Sequence, residues 1–463
     1  MKMWSGRFRG GPDPEFDAWQ RSFPFDQRLL AQEIAASKAH ASALNTAGVL
    51  SKTELETIVR GLDQIGREGV TSDDPSIEDV HHFVESRLVE LAGEVGLKLH
   101  TGRSRNEQIA TDLRLYVREH IDGLHTLLSD LIGVLLERAK EAGDSAMPSY
   151  THLQRAEPVL VAHWLLAYVE MFFRDVDRLA DCRARLNRSP LGSGAIAGAI
   201  LPLDRSLMAG KLGFDGPTAN SMDATSDRDF AIEFAQALSL LAVHLSRWAE
   251  EMILFSTTEY GFLALPEQYS TGSSAMPQKK NPDSCELIRG KTARVIANAT
   301  SLLIAAKGLP LAYNKDLQET QQPVFDGAEQ CSAMLKIAAG FMSAVTLNFD
   351  RMRAAATTGS MNAMAAAGHL VKTGLPFRTA HELIGRAVQL CIEQGCELDD
   401  LSPEQWKRCD IDFTPELRAS LRLESVLACH DVEGGTAPKR VKQALALALE
   451  RLAALKGAAH VGA

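Results

Sequence analysis

Residues 229–260, DFAIEFAQALSLLAVHLSRWAEEMILFSTTEY, carry a single apolar stripe with neither proline nor glycine to interrupt it. Phe230, Phe234, Leu238, Leu241, Leu245, Trp248, Met252 and Phe255 recur every three or four positions, the period of a helix that buries one face. Similar stripes occupy Ser104 to Glu141 (Ile109, Leu113, Val117, Ile121, Leu124, Leu128, Leu131, Leu135, with Gly143 as the stop), Pro158 to Asn187, Pro282 to Ala306 and Gln318 to Leu347. At 1.5 Å rise per residue the Ser104 helix would be roughly 50 Å long. Strand-like alternation is scarce, so the fold expected is all-α, built on a long central five-helix bundle. Helices this long exceed the usual average of about eleven or twelve residues, and one short core cannot occupy all their faces. Neighbouring subunits are expected to cover the rest. The flanks have shorter periodic segments and more Gly, Pro and Asp breaks. This gives three domains: a helical domain at 1–105, the long-helix domain at 106–354 and a second small helical domain at 355–463.

The chain has 463 residues, 45% hydrophobic and 23% charged, enough to bury a large core. Its net charge of -10 argues against general nucleic-acid binding and leaves the attraction of an anionic substrate to local lysines. No apolar run is long enough to span a bilayer, and the N-terminal MKMWSGRFRGG lacks the apolar centre of a signal peptide. The expectation is a cytoplasmic protein. Seven cysteines, odd in number and without a C-x-x-C pair, argue against a disulfide framework and read as small core residues.

The chemistry concentrates in Thr271 to Arg289, TGSSAMPQKKNPDSCELIR. Gly272 frees the backbone and Pro277 stiffens it, while Asn281 and Pro282 suit the N-cap and first position of a helix. A helix start presents unpaired N–H groups and partial positive charge, to which Lys279 and Lys280 add full charge. A dicarboxylate would be held there, and Ser273 or Ser274 would ionise more easily than in water. Ser104-Arg-Asn-Glu107 reads as a capping box whose geometry also turns Arg105 outward, where a guanidinium can grip a carboxylate. Thr151-His152 lies ahead of Pro158, read as a helix start, so its histidine is expected to be exposed. His125, His163 and His244 sit within apolar helices and read as satisfied helix residues. His81 and His82 with Glu85 have a spacing that suits a metal, since His81 and Glu85 share a helical face, but a third ligand is not apparent. Leu191-Gly-Ser-Gly-Ala-Ile-Ala-Gly198 is not G-x-G-x-x-G and reads as a close-packed loop.

The Thr271–Arg289 segment resembles the signature of the fumarase, aspartase and argininosuccinate lyase superfamily, and its MPQKKNPD form is similar to the argininosuccinate lyase branch. The likeness runs nearly end to end, through Trp4-Ser-Gly-Arg-Phe8, Gly102-Arg-Ser-Arg-Asn-Glu-Gln108, Tyr150-Thr-His-Leu-Gln154 and Tyr313-Asn-Lys-Asp-Leu-Gln-Glu319. It implies elimination from a succinyl substrate to release fumarate, without metal or cofactor, by a homotetramer around a twenty-helix core with active sites assembled from three subunits. It carries catalytic roles onto Ser273, His152, Lys279 and Glu286. Ser273 would be the base, with Lys279 stabilising its alkoxide and the doubly charged intermediate. His152, oriented by Glu286, would protonate the departing nitrogen; the reverse assignment of acid and base also stands. Substrate-binding roles fall on Ser22, Ser104, Arg105, Asn106, Thr151, Arg228, Asn281, Tyr313 and Gln318. After Glu319 the family usually continues Asp-Lys-Glu, whereas this chain has Thr320-Gln321-Gln322, which removes a charge expected at the arginine-derived end. Two other readings stand beside this one: a sister fumarate-releasing carbon–nitrogen lyase, and a non-catalytic relative of the crystallin kind, against which the intact catalytic residues argue.

Overall fold

In the computed structural model the described residues are 12–71 and 74–461; the Trp4–Phe8 motif lies outside them. Among the described residues the architecture is all-α. After two short helices, Pro14–Trp19 and Phe23–Asp26, come three of 13 to 17 residues: α1 (Leu30–Thr46), α2 (Lys52–Glu68) and α3 (Val80–Ala92). Five long ones follow: α4 (Arg105–Ala142), α5 (Val161–Leu186), α6 (Asp229–Ser256), α7 (Asp283–Ala306) and α8 (Gln321–Ala344). Each stands where an apolar stripe predicted it. The C-terminal part includes α9 (Phe349–Ala356), α10 (Ala363–Lys372) and α11 (Phe377–Gln394).

One expected helix start is displaced. Ala146–Thr151 (β1) and Gln154–Leu160 (β2) form an antiparallel hairpin, so α5 begins at Val161 rather than at Pro158. Pro158 faces Pro148 across the ladder, where neither ring nitrogen has a proton to donate. A register shift next to Pro148 is closed by Ser149, whose Oγ donates to the Glu157 carbonyl at 2.6 Å and accepts the Glu157 N–H at 3.2 Å. Similarly, Gln318 belongs to a 3₁₀ turn, Lys315–Thr320, that precedes α8.

The chain divides into two compact units. The first contains the described residues up to His125, Val176–Ala242 and Thr292–Ser332; the second contains Thr126–Asp175, Val243–Lys291 and the described residues from Ala333 onward. The unit boundaries fall inside all five long helices.

In the first unit α1 is apolar on two faces. Ile34, Ala41 and Leu44 pack with Ile58, Leu62 and Ile65 of α2 and with Phe83, Val84 and Leu88 of α3. Ala36, Ala39 and Ala43 pack with Leu115, Met208 and Phe214 in a second cluster. Burying each large side chain contributes roughly 1.5–3 kcal/mol.

In the second unit Ala380, Leu383, Ile384 and Ala387 of α11 share a core with Leu398, Leu401, Trp406 and Leu417. A separate aromatic group joins Tyr150 of the hairpin to Phe255 and Tyr260, with ring centroids 6.0 and 5.4 Å away. Tyr269 lies against Gly340 of α8, where a Cβ would stand 1.9 Å from the phenol oxygen. His244 Nδ1 is 2.7 Å from Asp175 Oδ2, both buried, as expected for a satisfied helix histidine.

Candidate active site

In the first unit, a cavity of about 260 Å³ forms where the chain around Ser22 meets the start of α3, the start of α4 and the Tyr313–Gln318 segment. Its walls include Ser22, Arg105, Asn106, Tyr313 and Gln318, five positions expected from sequence. Ser22 is fixed because the N–H groups of Ser22 and Phe23 both donate to the Glu78 carbonyl at 3.0 Å. Gln318 donates through Nε2 to the Gln20 carbonyl at 3.0 Å. Burial raises the Tyr313 phenol, and the nearby Arg228 opposes that shift.

The capping box at the start of α4 forms with altered partners. Glu107 accepts the Ser104 N–H at 3.2 Å as expected, but Ser104 Oγ accepts from Asn106 rather than from Glu107. The second Glu107 oxygen accepts the Gly194 N–H at 2.7 Å, tying Asn106's helix start to the 191–198 loop. That loop is close-packed, since a Cβ on Gly194 would lie 2.8 Å from the Gly198 carbonyl oxygen. Burial pushes Glu107 up to about 7. Arg105 is not simply turned outward: its Nε lies 3.2 Å from Asp79 and its Nη2 3.7 Å from Glu85.

Four sequence expectations in this unit look different in the structure. Ser104 does not line the cavity, and Arg228 is 2% exposed with Nη1 donating to the Asp227 carbonyl at 2.8 Å. Burial lowers Arg228 to about 10. Gln321 is likewise 2% exposed and absent from the cavity wall. His81 faces Glu33 and Asp112, at 3.1 and 3.5 Å, rather than Glu85. Ligand-type atoms of Glu33, His81 and Asp112 lie within 4.8 Å of one another. Donors already converge on Glu33: Ser37 Oγ at 2.5 Å and Gln108 Nε2 at 3.1 and 3.2 Å. Glu33 is thus satisfied, whereas among the described residues both carboxylate oxygens of Asp112 are buried without a hydrogen-bond partner, and burial with the adjacent Glu33 charge pushes Asp112 well above the usual carboxylate range.

Asp79, Glu78 and Lys315 also line the cavity and were missed from sequence, as does His82, which the sequence marked only for a metal. Lys315 lies inside the Tyr313–Glu319 motif and pairs with Glu78 at 3.4 Å, so the motif itself held a usable signal.

In the second unit, residues 273–279 form an exposed loop clasped at its base by two short strands, β3 (Thr271–Gly272) and β4 (Lys280–Asn281). Ser273 Oγ accepts the N–H groups of Met276 at 3.0 Å and Ala275 at 3.3 Å. Such donors favour an alkoxide over a hydroxyl. Asn281 does not cap α7. Its amide donates to Thr271 Oγ1 at 3.4 Å, and it is the Pro282 carbonyl that accepts the N–H groups of Cys285 and Glu286. Lys279 and Glu286 are exposed.

Thr151 and His152 are exposed at the tip of the β1–β2 hairpin. His152 and Leu153 both have positive φ, 55° and 58°, between the paired residues Thr151 and Gln154. This is a primed two-residue turn, normally made with Asn and Gly. Among the described residues, no hydrogen bond joins His152 to Glu286 within the chain.

The class is a lyase of the fumarase and aspartase superfamily, shown by the likeness to known proteins, and the long-helix architecture agrees with it. A family model described as Lyase matches residues 6–297, and one described as Argininosuccinate lyase C-terminal matches residues 360–428. The chain is 65% identical to the argininosuccinate lyase of Koribacter versatilis, over the whole of both chains. It is 55% identical to that of Acidobacterium capsulatum, over 96% of this chain and 93% of the relative. Among solved structures, EDDS lyase in complex with formate superposes with a TM-score of 0.87 at 26% identity, over 98% of this chain and 93% of that one. A class II fumarase from Schistosoma mansoni, at 17% identity, 89% and 94% coverage and a TM-score of 0.76, shares the fold. The chain belongs to the argininosuccinate lyase family and is a carbon–nitrogen lyase.

Proposed function

We propose that the chain eliminates fumarate from argininosuccinate, leaving arginine, with Ser273 as the base. The observation that carries this reading is the pair of backbone N–H groups on Ser273 Oγ. A serine is a poor base in water, and preorganised donors are what make its alkoxide accessible. The alkoxide takes the proton next to the succinyl carboxylate, giving an aci-carboxylate that Lys279 stabilises. The carbon–nitrogen bond then breaks, and His152 protonates the departing guanidino nitrogen. Glu286 orients His152 from another copy of the chain.

The cavity wall of Ser22, Arg105, Asn106, Tyr313 and Gln318 supports the binding half of the proposal. Asp79, Glu78, Arg105 and Lys315 give it both signs of charge, which suits a ligand bearing carboxylates and a cationic nitrogen. Ser104 and Arg228 would act from behind this wall, and Thr151 and Asn281 would bind substrate from the hairpin and the Ser273 loop of other copies of the chain.

We further propose a homotetramer whose sites are shared between subunits. Large apolar residues remain exposed along α7, including Leu287, Ile296, Leu303 and Ile304, and such a stripe calls for cover. The division into domains at 1–105, 106–354 and 355–463 is supported by separate apolar clusters within residues 23–99 and 366–421. A cytoplasmic location agrees with seven free cysteines. No helix among the described residues is long and apolar enough to cross a membrane.

The test is fumarate release by the purified protein from argininosuccinate, with adenylosuccinate, aspartate and malate in parallel. Preference for argininosuccinate supports the proposal. Preference for another compound moves the chain to a sister activity, and inactivity of a folded oligomer on all four overturns the reading.

A further inference from the structure

We propose that Arg155 is a positioning residue for His152, acting as a latch between the His152 hairpin and the C-terminal part of the second unit. This rests on the reading of His152 as a proton-transfer group. Arg155 stands on β2 three residues after His152, opposite Tyr150 in the ladder. Its Nη1 donates to Thr358 Oγ1 at 2.6 Å and to the Ala355 carbonyl at 3.4 Å. Both acceptors belong to the end of α9 and the loop that follows it.

That loop is itself held. Gly359 and Ser360 have positive φ, 80° and 53°, which turns their consecutive N–H groups toward one acceptor. Glu397 fills the position, one carboxylate oxygen taking each N–H at 2.8 Å. The Glu397 N–H in turn donates to Asp400 at 3.0 Å, fixing the carboxylate's own backbone. Two sets of hydrogen bonds, joined through the Thr358–Gly359 peptide, therefore lead from Glu397, inside the segment 360–428, to a guanidinium beside the hairpin tip.

The hairpin needs such a tether. Its tip is exposed, and its turn is built from two non-glycine residues in the left-handed region, a conformation that persists only when the surroundings impose it. Behind it lies a cavity of about 510 Å³, lined by Tyr150, Gln154, Arg155, Tyr260, Arg351 and Gly359 among others, into which an untethered β2 could relax. Farther from the tip the hairpin is secured elsewhere, by the Leu160 N–H donating to Thr436 Oγ1 at 2.8 Å. At the end carrying His152, Tyr150 packs on Phe255 and Tyr260, and Arg155 adds the hydrogen bonds to Thr358 and Ala355.

The experiment compares steady-state kinetics on argininosuccinate for Arg155→Ala, Arg155→Lys, Thr358→Val, His152→Asn and the double variant Arg155→Ala/His152→Asn, each checked for secondary structure and oligomer size. A misplaced catalytic group loses up to about 10²-fold in rate. The expected result is a kcat lower by about 10- to 100-fold in Arg155→Ala with KM little changed, partial recovery in Arg155→Lys, and a smaller loss in Thr358→Val. In the His152→Asn background, removing Arg155 should cause no further loss, because a residue acting through His152 has nothing left to position. Unchanged kcat in Arg155→Ala beside an impaired His152→Asn overturns the latch alone, as does an additive loss in the double variant. Full turnover in His152→Asn overturns the site reading and the latch with it. If Arg155→Ala does not fold, Thr358→Val decides, since it removes the nearer of the two acceptors and keeps Arg155: wild-type kcat there overturns the proposal.

Discussion

The phenol of Tyr269 occupies the space a side chain on Gly340 would need. A Cβ at position 340 would stand 1.9 Å from the Tyr269 oxygen and 2.6 Å from Cζ, although Gly340 lies in the interior of α8. Alanine is ordinarily the better helix former by about 1 kcal/mol. Here the sign reverses, and Gly340→Ala is expected to lose roughly 1–3 kcal/mol through overpacking, read as a lower denaturant midpoint. An unchanged or higher midpoint would mean that the ring moves aside freely. Tyr269 also presents its carbonyl to Ser284 Oγ at 2.6 Å, so displacing the ring disturbs the entry to α7.

Ser273→Ala removes the acceptor on which two backbone N–H groups converge. The loop base is held independently by β3 and β4 and by Thr271 Oγ1 donating to Asp283 at 2.5 Å, so the fold is expected to survive. Turnover of argininosuccinate should fall by at least about 10²–10⁴-fold, the range for loss of a general base. Near-normal turnover would remove Ser273 from that role.

Glu107 makes stability depend on pH. Its pKa rises from 4.5 to about 7, chiefly because it is buried, so the fold favours the protonated form. The stability this group contributes is complete below about pH 4.5 and is lost as pH climbs through about 7. Asp26, raised from 3.8 to about 7 by burial first and by the Asp79 charge second, acts in the same direction. Glu107→Gln should therefore flatten the fall in unfolding midpoint between about pH 5 and about pH 8 without abolishing it. Equal slopes for wild type and variant would exclude Glu107 as a group titrating in that window.

Gln321 occupies the position where a lysine would be expected at the substrate's arginine end, yet it is buried and does not line the cavity. A lysine there loses the hydration of its ammonium group. Gln321→Lys is expected to lower the unfolding free energy by roughly 1–3 kcal/mol and to leave KM for argininosuccinate unchanged. A clear fall in KM would place the side chain at the substrate after all.

The long helices were legible because each keeps one apolar stripe over many turns, a signal that local sequence carries in full. The β1–β2 hairpin was not, since Pro158 has the look of a helix start and only its pairing with Pro148 reveals a strand. At the candidate site, Ser22, Arg105, Asn106, Tyr313 and Gln318 were expected through family likeness, and one cavity is lined by all five. Asp79 escaped because it reaches the cavity by tertiary packing, with no periodic or motif signal of its own, and His82 stood out only for a metal-like spacing that says nothing of this cavity. Arg228 and Gln321 show the converse: a motif position says nothing about depth, and both proved to be buried.

Leu153 has its apolar side chain largely in solvent and its backbone at φ 58°, where an L residue is disfavoured and glycine is at ease. Chain folding alone would exchange it for glycine and gain on both counts. Random mutagenesis scored only for soluble expression should therefore enrich Leu153→Gly, whereas scoring for turnover should retain a bulky residue there if a second copy of the chain rests on that tip. The gap between the two enrichments would measure how much of this turn serves the assembled enzyme rather than the single chain.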